Sequence, residues 1–154
     1  MRAAFIFSVV IFFASTVCGH NTRLAHYVVQ VDGERVVCEA KIDLEDLEGV
    51  MDDKLNPEGL DSFLQDHLTF QFDGVTVPTE LLHMEKTRDW VEIRLSLHTS
   101  NINPTDVTVF NSILSEEIEI HDNLMRFIFH DRTRIFRLNK ERQQISFSYK
   151  KPQR

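Results

Sequence analysis

Residues 67–97 read HLTFQFDGVTVPTELLHMEKTRDWVEIRLSL, and this stretch decides the fold class. Hydrophobic and polar residues alternate from Leu68 to Phe72, which is the period-two pattern of a half-buried strand. Asp73-Gly74 follows and predicts a type I′ hairpin turn, because both residues tolerate a positive φ. A second alternation runs from Trp90 to Leu97, with valine, isoleucine and leucine on one face. Strands with one apolar and one polar face are typical of antiparallel sheets that cover a core.

The same alternation recurs along the rest of the chain. Further strands are predicted at residues 24–31, 34–42, 81–86, 107–111, 124–129, 133–138 and 145–149. Two short helices are predicted between them, because Asp43 and Asn56-Pro57 are strong helix-starting residues. We therefore expect a mainly β protein, a single antiparallel β-sandwich of the immunoglobulin-like type. It should contain seven to eight strands and a short two-helix insertion at about residues 43–68.

The N-terminal 19 residues have the layout of a secretory signal peptide. Arg2 supplies a positive charge, and the apolar run from Ala3 to Ala14 is interrupted only by Ser8. This run is too short for a comfortable membrane span. We expect cleavage after Gly19 and export to the periplasm or the extracellular space. Lipidation of Cys18 is the alternative, in which the exported protein stays anchored to a membrane.

Removal of residues 1–19 leaves a mature chain of the size of one ordinary domain. We assign residues 20–150 to this domain and residues 151–154 to a basic tail. Cys38 is the one cysteine of the mature chain, so it has no partner for an internal disulfide. Its neighbours alternate as in a strand, which favours a buried, hydrophobic cysteine over a reactive thiol.

The charge of the chain is unevenly distributed. Residues 20–123 contain 7 Lys and Arg against 22 Asp and Glu, a net charge of −15. Residues 124–154 contain 9 Lys and Arg against 2 Asp and Glu, a net charge of +7. The two parts can neutralise each other if the last strands lie beside the early ones. An acidic body of this kind is a poor nucleic-acid binder, so we expect no nucleic-acid partner.

No motif of a known catalytic chemistry is present in the sequence. It contains no phosphate-binding glycine loop, no Gly-x-Ser-x-Gly, no His-Glu-x-x-His and no Cys-x-x-Cys. Histidines are the remaining candidates for chemistry. We expect His67 in the core or at its boundary, and we expect the histidines near strand ends at the surface: His83, His98, His121 and His130. Cleavage after Gly19 would give His20 a free amine beside its imidazole, and this pair chelates Cu(II) well. His26 follows six residues later, so His20 and His26 are the predicted metal ligands, with copper as the possible cofactor.

The order of several weak motifs resembles a family of small exported bacterial proteins that carries a domain-of-unknown-function label. These motifs are a strand near His20 and His26, the acidic helix start at 42–47, the helix end at 63–68, and a turn of the Asp-x-Asn type at 122–124. A looser similarity is to the soluble extracytoplasmic domains of membrane proteins of the hydrogenase- and urease-accessory type. The resemblance implies an exported compartment and this fold, and it implies no catalytic residue.

Three functions are compatible with these features. The first is a non-enzymatic exported module that binds another cell-envelope protein or a ligand, with no membrane span in the mature chain. The second is a periplasmic protein that binds copper or another transition metal through its mature N-terminus. The third is a hydrolase whose site is assembled from scattered residues, which the absence of a nucleophile motif disfavours.

Overall fold

The computed structural model describes residues 23–150. The predictions for the signal peptide, for Cys18 and His20, and for the tail at 151–154 lie outside the described residues. Within residues 23–150 the chain forms ten strands, two α-helices and one 3-10 turn. In chain order these are β1 (Arg23–Asp32), β2 (Arg35–Asp43), α1 (Leu44–Met51), the 3-10 turn (Asp52–Lys54), α2 (Pro57–His67), β3 (Leu68–Phe72), β4 (Val75–Val77), β5 (Thr79–Lys86), β6 (Trp90–Leu97), β7 (Asp106–Asn111), β8 (His121–Phe129), β9 (Arg132–Leu138) and β10 (Gln144–Ser148).

The strands form two sheets. The larger sheet has the order β5-β6-β2-β1-β8-β9, and the smaller sheet has the order β10-β7-β3-β4. Side chains of both sheets meet in one hydrophobic core. The ring of Phe72 lies 5.7 Å from that of Phe129, and the ring of Phe127 lies 5.0 Å from that of Phe147. The prediction of a mainly β fold with one helical insertion is therefore confirmed, and the two sheets around one core are compatible with a sandwich-like arrangement.

One strand pairing corrects the expectation of a purely antiparallel sandwich. Strands β1 and β8 run parallel, from Arg23 beside His121 to Gln30 beside Ile128. Parallel neighbours need a long connection, and here six strands and both helices separate the two in the chain. Side-chain alternation is the same for either direction, so the sequence pattern could not report it. The strands of residues 23–150 also number ten, and Pro78 separates β4 of the smaller sheet from β5 of the larger sheet.

The hairpin turns follow from backbone conformation. Asp73 and Gly74 have φ values of 50° and 84°, so the predicted type I′ turn is confirmed. The turn from β1 to β2 has a positive φ at Gly33 alone, which is the pattern of a type II′ turn. His130 and Asp131 form the β8–β9 turn with φ values of 52° and 56°, without a glycine. These tight turns keep consecutive strands adjacent.

Both helices begin at the predicted caps. The Asp43 carboxylate accepts a hydrogen bond from the Asp46 N–H at 3.0 Å, and the Asn56 side chain accepts one from the Gly59 N–H at 2.9 Å. Such caps satisfy donors that a helix start otherwise leaves unpaired. Each helix buries its leucine face against the sandwich. Neither helix in the described part of the chain is long and apolar enough to cross a membrane.

Residues 112–120 connect β7 to β8 across one end of the sandwich. Ile113 and Leu114 anchor this connection, since both are 0 % exposed. The Asn123 side chain donates a hydrogen bond to the Ile113 carbonyl at 2.9 Å, and the Asn111 side chain accepts one from the Ile113 N–H at 3.0 Å. Two buried asparagines therefore hold the same peptide segment from both sides.

The turn that the resemblance places at residues 122–124 is not observed, and this prediction is wrong. These residues begin β8, and Asp122 and Asn123 are buried. Arg137 in β9 donates a hydrogen bond to the Asp122 carboxylate, which holds the pKa of that carboxyl below its ordinary value. Asp122 thus ties the start of β8 to its neighbouring strand.

The register predicted for β6 is confirmed on its apolar face. The four residues that were expected to face the core are buried: Val91, Ile93, Leu95 and Leu97. On the opposite face, Glu92 and Arg94 are half-buried and Ser96 is buried. Because β6 lies between β5 and β2, its neighbours shield much of the outer face as well.

Candidate functional site

The described residues do not bring the two histidines of the copper hypothesis into one site. His20 lies outside them, and His26 is an exposed residue of β1. Because β1 is extended from Arg23, His26 lies about 10 Å along the strand from its start. Residues 20–22 would have to fold back over this distance for His20 and His26 to share one ion. Their pairing stays a prediction.

The other histidines mostly lie at the surface or its boundary, as expected. The exception is His121, which was expected at the surface but is only 2 % exposed. Burial lowers its pKa from the ordinary value of 6.5, because the charged imidazolium loses its hydration. The remaining four are exposed or half-buried: His67, His83, His98 and His130.

His121 belongs to a buried polar cluster at the helical end of the sandwich. Its Nε2 lies 3.3 Å from Asn123 Oδ1, and Arg23 Nε lies 3.3 Å from Asp46 Oδ1. Burial raises the pKa of the Asp46 carboxyl from 3.8. Among residues 23–150, His121 Nδ1 and Asp46 Oδ2 find no hydrogen-bond partner. Since His121 and Asp46 are covered, this cluster cannot meet a substrate, and we interpret it as a structural clamp.

Cys38 is completely buried in β2, as the alternation around it predicted. Burial raises the pKa of its thiol to about 12, because the thiolate would be poorly solvated there. A thiol in this state is a weak nucleophile and a weak metal ligand. The interpretation of Cys38 as a core residue is therefore confirmed, and it offers no catalytic chemistry.

A depression of about 410 Å³ lies on the outer face of the larger sheet, and its lining includes His26. The charged side chains of this depression neutralise one another. Lys41 Nζ lies 2.7 Å from Glu92, and Arg94 Nη1 lies 3.3 Å from Glu39. Exposed ion pairs of this kind are typical of a solvated sheet face. The depression therefore presents no unbalanced charge for a ligand.

Along the β8–β9 edge of the larger sheet, by contrast, most of the positive side chains have no ion-pair partner among the described residues. Of the seven Lys and Arg residues at 124–150, Arg137 pairs with Asp122 and Lys150 pairs with Asp106. The other five have no carboxylate within ion-pairing distance among the described residues, and all five are exposed. We call these five residues the basic edge: Arg126, Arg132, Arg134, Lys140 and Arg142.

The backbone of β9 is also free on one side. β9 is the last strand of the larger sheet, so only its β8-facing side is paired within residues 23–150. It pairs with β8 over seven consecutive residues without a bulge, from Arg132 to Leu138. Ile135, in the middle of β9, is 54 % exposed. A regular edge of this length can receive a further strand.

The other three sheet edges carry features that oppose such an addition. β5 has an irregular register between Leu81 and His83, and the Leu81 N–H donates to the Asp61 carboxylate of α2 at 3.1 Å. β4 has three residues and is followed by Pro78, which lacks a backbone donor. β10 has five residues and lies beside β9, where Arg132 donates to the Tyr149 carbonyl at 3.1 Å. Among the four edges within residues 23–150, β9 is thus the one that is both longer than five residues and regular in register.

Comparison with protein-family models and with curated proteins finds no match to this chain. The resemblance to an exported family of unknown function therefore stays a prediction.

The charge asymmetry of the sequence is the signal that locates the basic edge. It predicted a basic C-terminal end, but it left open whether the early acidic strands would neutralise that end. In the structure only β8 separates β9 from β1, and the two ion pairs above are the neutralisation that results. Which side of β9 stays open could not be read from the sequence, because strand order is a tertiary property.

Proposed function

We propose that the chain is a non-enzymatic exported β-sandwich protein of the immunoglobulin-like type. Its function is to bind another protein of the cell envelope, and the partner contributes an acidic, extended segment that adds a strand to β9. The observation that carries this proposal is that, within residues 23–150, the regular open edge of β9 coincides with the basic edge, whose five cations have no carboxylate at ion-pairing distance. The two-layer arrangement around one core supports the fold type, which must accommodate the parallel β1–β8 pair.

Charge selects the partner of such an edge. Two copies of β9 placed side by side would bring Arg132 and Arg134 of each copy close together, and this accumulation of like charge is unfavourable. An acidic strand would instead place carboxylates beside Arg132 and Arg134, while its backbone pairs with β9. Backbone pairing supplies affinity in this mode, and side-chain complementarity supplies specificity and a faster encounter. The basic edge therefore favours a different, acidic protein over self-association.

The same charges support the expectation that nucleic acid is not the partner. The helical end of the molecule is acidic, since residues 43–66 contain nine Asp and Glu against one Lys. This charge would repel a polyanion that extends beyond the edge, because unpaired phosphates continue in both directions along such a polymer. A short acidic segment confined to β9 does not meet this repulsion.

Site-specific crosslinking in the native host tests the proposal. A photoreactive amino acid replaces Thr133 on β9 in one variant and Thr69 on the smaller sheet in the other. We expect a defined protein adduct from position 133 and none of that size from position 69. The pair Arg132→Glu and Arg134→Glu should reduce the adduct about ten-fold, as charge reversal at a complementary contact slows association.

Arg35→Glu is the matched control, because Arg35 is exposed and lies in β2, away from the edge. It should leave the adduct unchanged. Raising the salt concentration should weaken capture, since exposed charges are screened within about 10 Å at 0.1 M ionic strength. Equal adducts from positions 133 and 69, or insensitivity to the Arg132 and Arg134 reversals, would refute the proposal.

Copper binding at the mature N-terminus is the second candidate. It rests on the position of His20 after the predicted cleavage site and on the exposure of His26. Cu(II) titration of the processed protein, of a His20→Ala variant and of protein with extra residues before His20 tests it. Loss of binding in the last two samples is the expected result. Equal binding by all three would exclude the N-terminal site.

A further inference from the structure

A second group of side chains converges where α2 ends and the connection from β7 to β8 begins. One ring nitrogen of His67 and one carboxylate oxygen each of Glu116 and Glu117 lie within 4.8 Å of one another. His67 is the last residue of α2, and the two glutamates belong to the connection between β7 and β8. We call His67, Glu116 and Glu117 the triad.

The backbone around the triad is held in place on both sides. The Ser112 N–H donates to the His67 carbonyl at 2.9 Å, which continues the β3–β7 pairing into this region. Ser115 is buried, and its N–H donates to the Ser112 carbonyl at 3.1 Å. The glutamates therefore follow directly after an anchored segment and are presented toward His67 by the fold.

The imidazole of His67 is itself oriented. Its Nδ1 lies 2.9 Å from the Ser112 hydroxyl, and the Phe63 ring packs against it at a centroid distance of 4.4 Å. In the tautomer that donates from Nδ1, Nε2 keeps a lone pair for an ion. A hydrogen bond to the second ring nitrogen is the usual support of a metal-bound histidine.

The charges of the triad are not balanced by the protein. Within residues 23–150, neither Glu116 nor Glu117 has a Lys or Arg at ion-pairing distance; Glu116 accepts a hydrogen bond from Gln143 at 3.3 Å. The connection at 112–120 contains three acids and no Lys or Arg, and the same is true of α2. Two adjacent carboxylates repel each other, and a divalent cation would neutralise both.

A hydroxyl, an imidazole and carboxylates lie together here, but burial argues against a nucleophilic role for Ser112. Ser112 is only 2 % exposed, so a substrate carbonyl cannot reach its hydroxyl. His67 is half-buried and both glutamates are exposed, so an ion can reach them directly. The arrangement fits a metal ligand set with a supporting hydroxyl better than it fits a catalytic serine.

We infer that the triad is a binding site for a divalent first-row transition metal. One imidazole and two carboxylates form a nitrogen and oxygen donor set that suits Zn²⁺ or Mn²⁺ and contains no sulfur for Cu(I). With metal–ligand distances of about 2.1 Å, ligands of a tetrahedral ion lie about 3.4 Å apart. The exposed glutamate side chains need to move by about 1 Å to reach this spacing, with water as the fourth ligand.

Calorimetric titration of Zn²⁺ into the purified, untagged protein tests this inference. We expect one ion per chain with a Kd of about 10 µM or tighter. His67→Gln and the double variant Glu116→Gln, Glu117→Gln should each weaken binding by more than about 100-fold, because a charged or coordinating group is lost. Ser112→Ala should weaken it about ten-fold, since it removes the support of the imidazole.

Two controls separate this site from the rest of the molecule. Glu119→Gln, in the same connection, and His83→Gln, an exposed histidine elsewhere, should bind Zn²⁺ like the unaltered protein. Extra residues ahead of His20 should also leave Zn²⁺ binding intact, unlike Cu(II) binding at the N-terminus. Thermal unfolding without metal shows whether each variant folds, and Zn²⁺ should raise the Tm only when the triad is intact.

The inference is overturned if the unaltered protein binds Zn²⁺ no tighter than about 1 mM. It is also overturned if a folded His67→Gln variant keeps the affinity of the unaltered protein. X-ray absorption at the zinc edge gives a second readout. One nitrogen neighbour and the rest oxygen support the triad, whereas two or more imidazoles exclude it.

Discussion

Two helical glycines should respond to alanine substitution with opposite signs. Gly49 lies in α1 and Gly59 lies in α2, and neither has the positive φ that would by itself require glycine. A Cβ at Gly49 would meet no atom within 4 Å. A Cβ at Gly59 would lie 2.0 Å from the Lys54 carbonyl oxygen. The space around each Cα therefore separates two substitutions that helix propensity treats alike.

The magnitudes follow from these contacts. Alanine is favoured over glycine inside a helix by about 0.5–1 kcal/mol, so Gly49→Ala should stabilise the protein by this amount. At Gly59 the overlap involves backbone, which no side-chain rotation relieves, and the Lys54 carbonyl also accepts a hydrogen bond from the Asn56 N–H at 2.8 Å. Overpacking at the upper end of its usual range costs about 3 kcal/mol, which leaves a net loss of about 2 kcal/mol for Gly59→Ala.

Urea unfolding followed by the fluorescence of the single tryptophan, Trp90, measures both effects. With an m-value of about 1.5 kcal/mol/M, the midpoint should rise by about 0.3–0.7 M for Gly49→Ala and fall by about 1.3 M for Gly59→Ala. Far-UV circular dichroism should give the same midpoints. Shifts of the same sign for the two variants would refute the reasoning, because they would show that the Lys54 carbonyl does not restrict Gly59.

Three further outcomes are expected. Ile93→Ala should lower the free energy of unfolding by about 2–5 kcal/mol, because Ile93 is 3 % exposed. Arg94→Ala on the outer face should change it far less. Equal losses for the two variants in urea unfolding would contradict the register of β6. Burial keeps the pKa of His121 in the folded state below its value of about 6.5 in the unfolded chain, so the free energy of unfolding should fall as the pH drops below about 6.5. In urea unfolding at several pH values, His121→Asn should reduce this dependence on pH, whereas His83→Asn should not. Cys38 should resist a chromogenic thiol reagent in the native protein and react completely in urea, as measured by the absorbance of the released chromophore. Rapid reaction of Cys38 in the native protein would disprove its burial.

Strands, turns and caps could be predicted because they depend on neighbouring residues. Alternation over Trp90–Leu97 reflects the period of a strand, and Asp73-Gly74 reflects a backbone conformation that few residue pairs tolerate. Asn56-Pro57 marks a helix start by the same local logic. Their outcomes agree with the structure because a local preference and the tertiary fold favour the same conformation there.

Errors arise where a residue's environment depends on a distant segment. His121 was expected at the surface because it stands at a strand end, but it is buried, and Asp46 of α1 lies nearby. Asn123 was expected in a turn, but its side chain holds the Ile113 carbonyl instead. A polar residue at an element boundary has no local signal that distinguishes a buried clamp from an exposed turn.

The sequence alone determined the mainly β class, the position of the helical insertion, the core face of each strand and the excess of positive charge after residue 123. These properties depend on periodicity, on turn and cap chemistry, and on composition, all of which are read over a few residues. Only the tertiary structure decided that β1 and β8 run parallel and that β9 is an open edge. It also decided that His67 meets Ser112, 45 residues away, beside two glutamates. Such pairings are selected by the packing of whole sheets and not by local preference, because many strand orders bury the same alternating faces equally well.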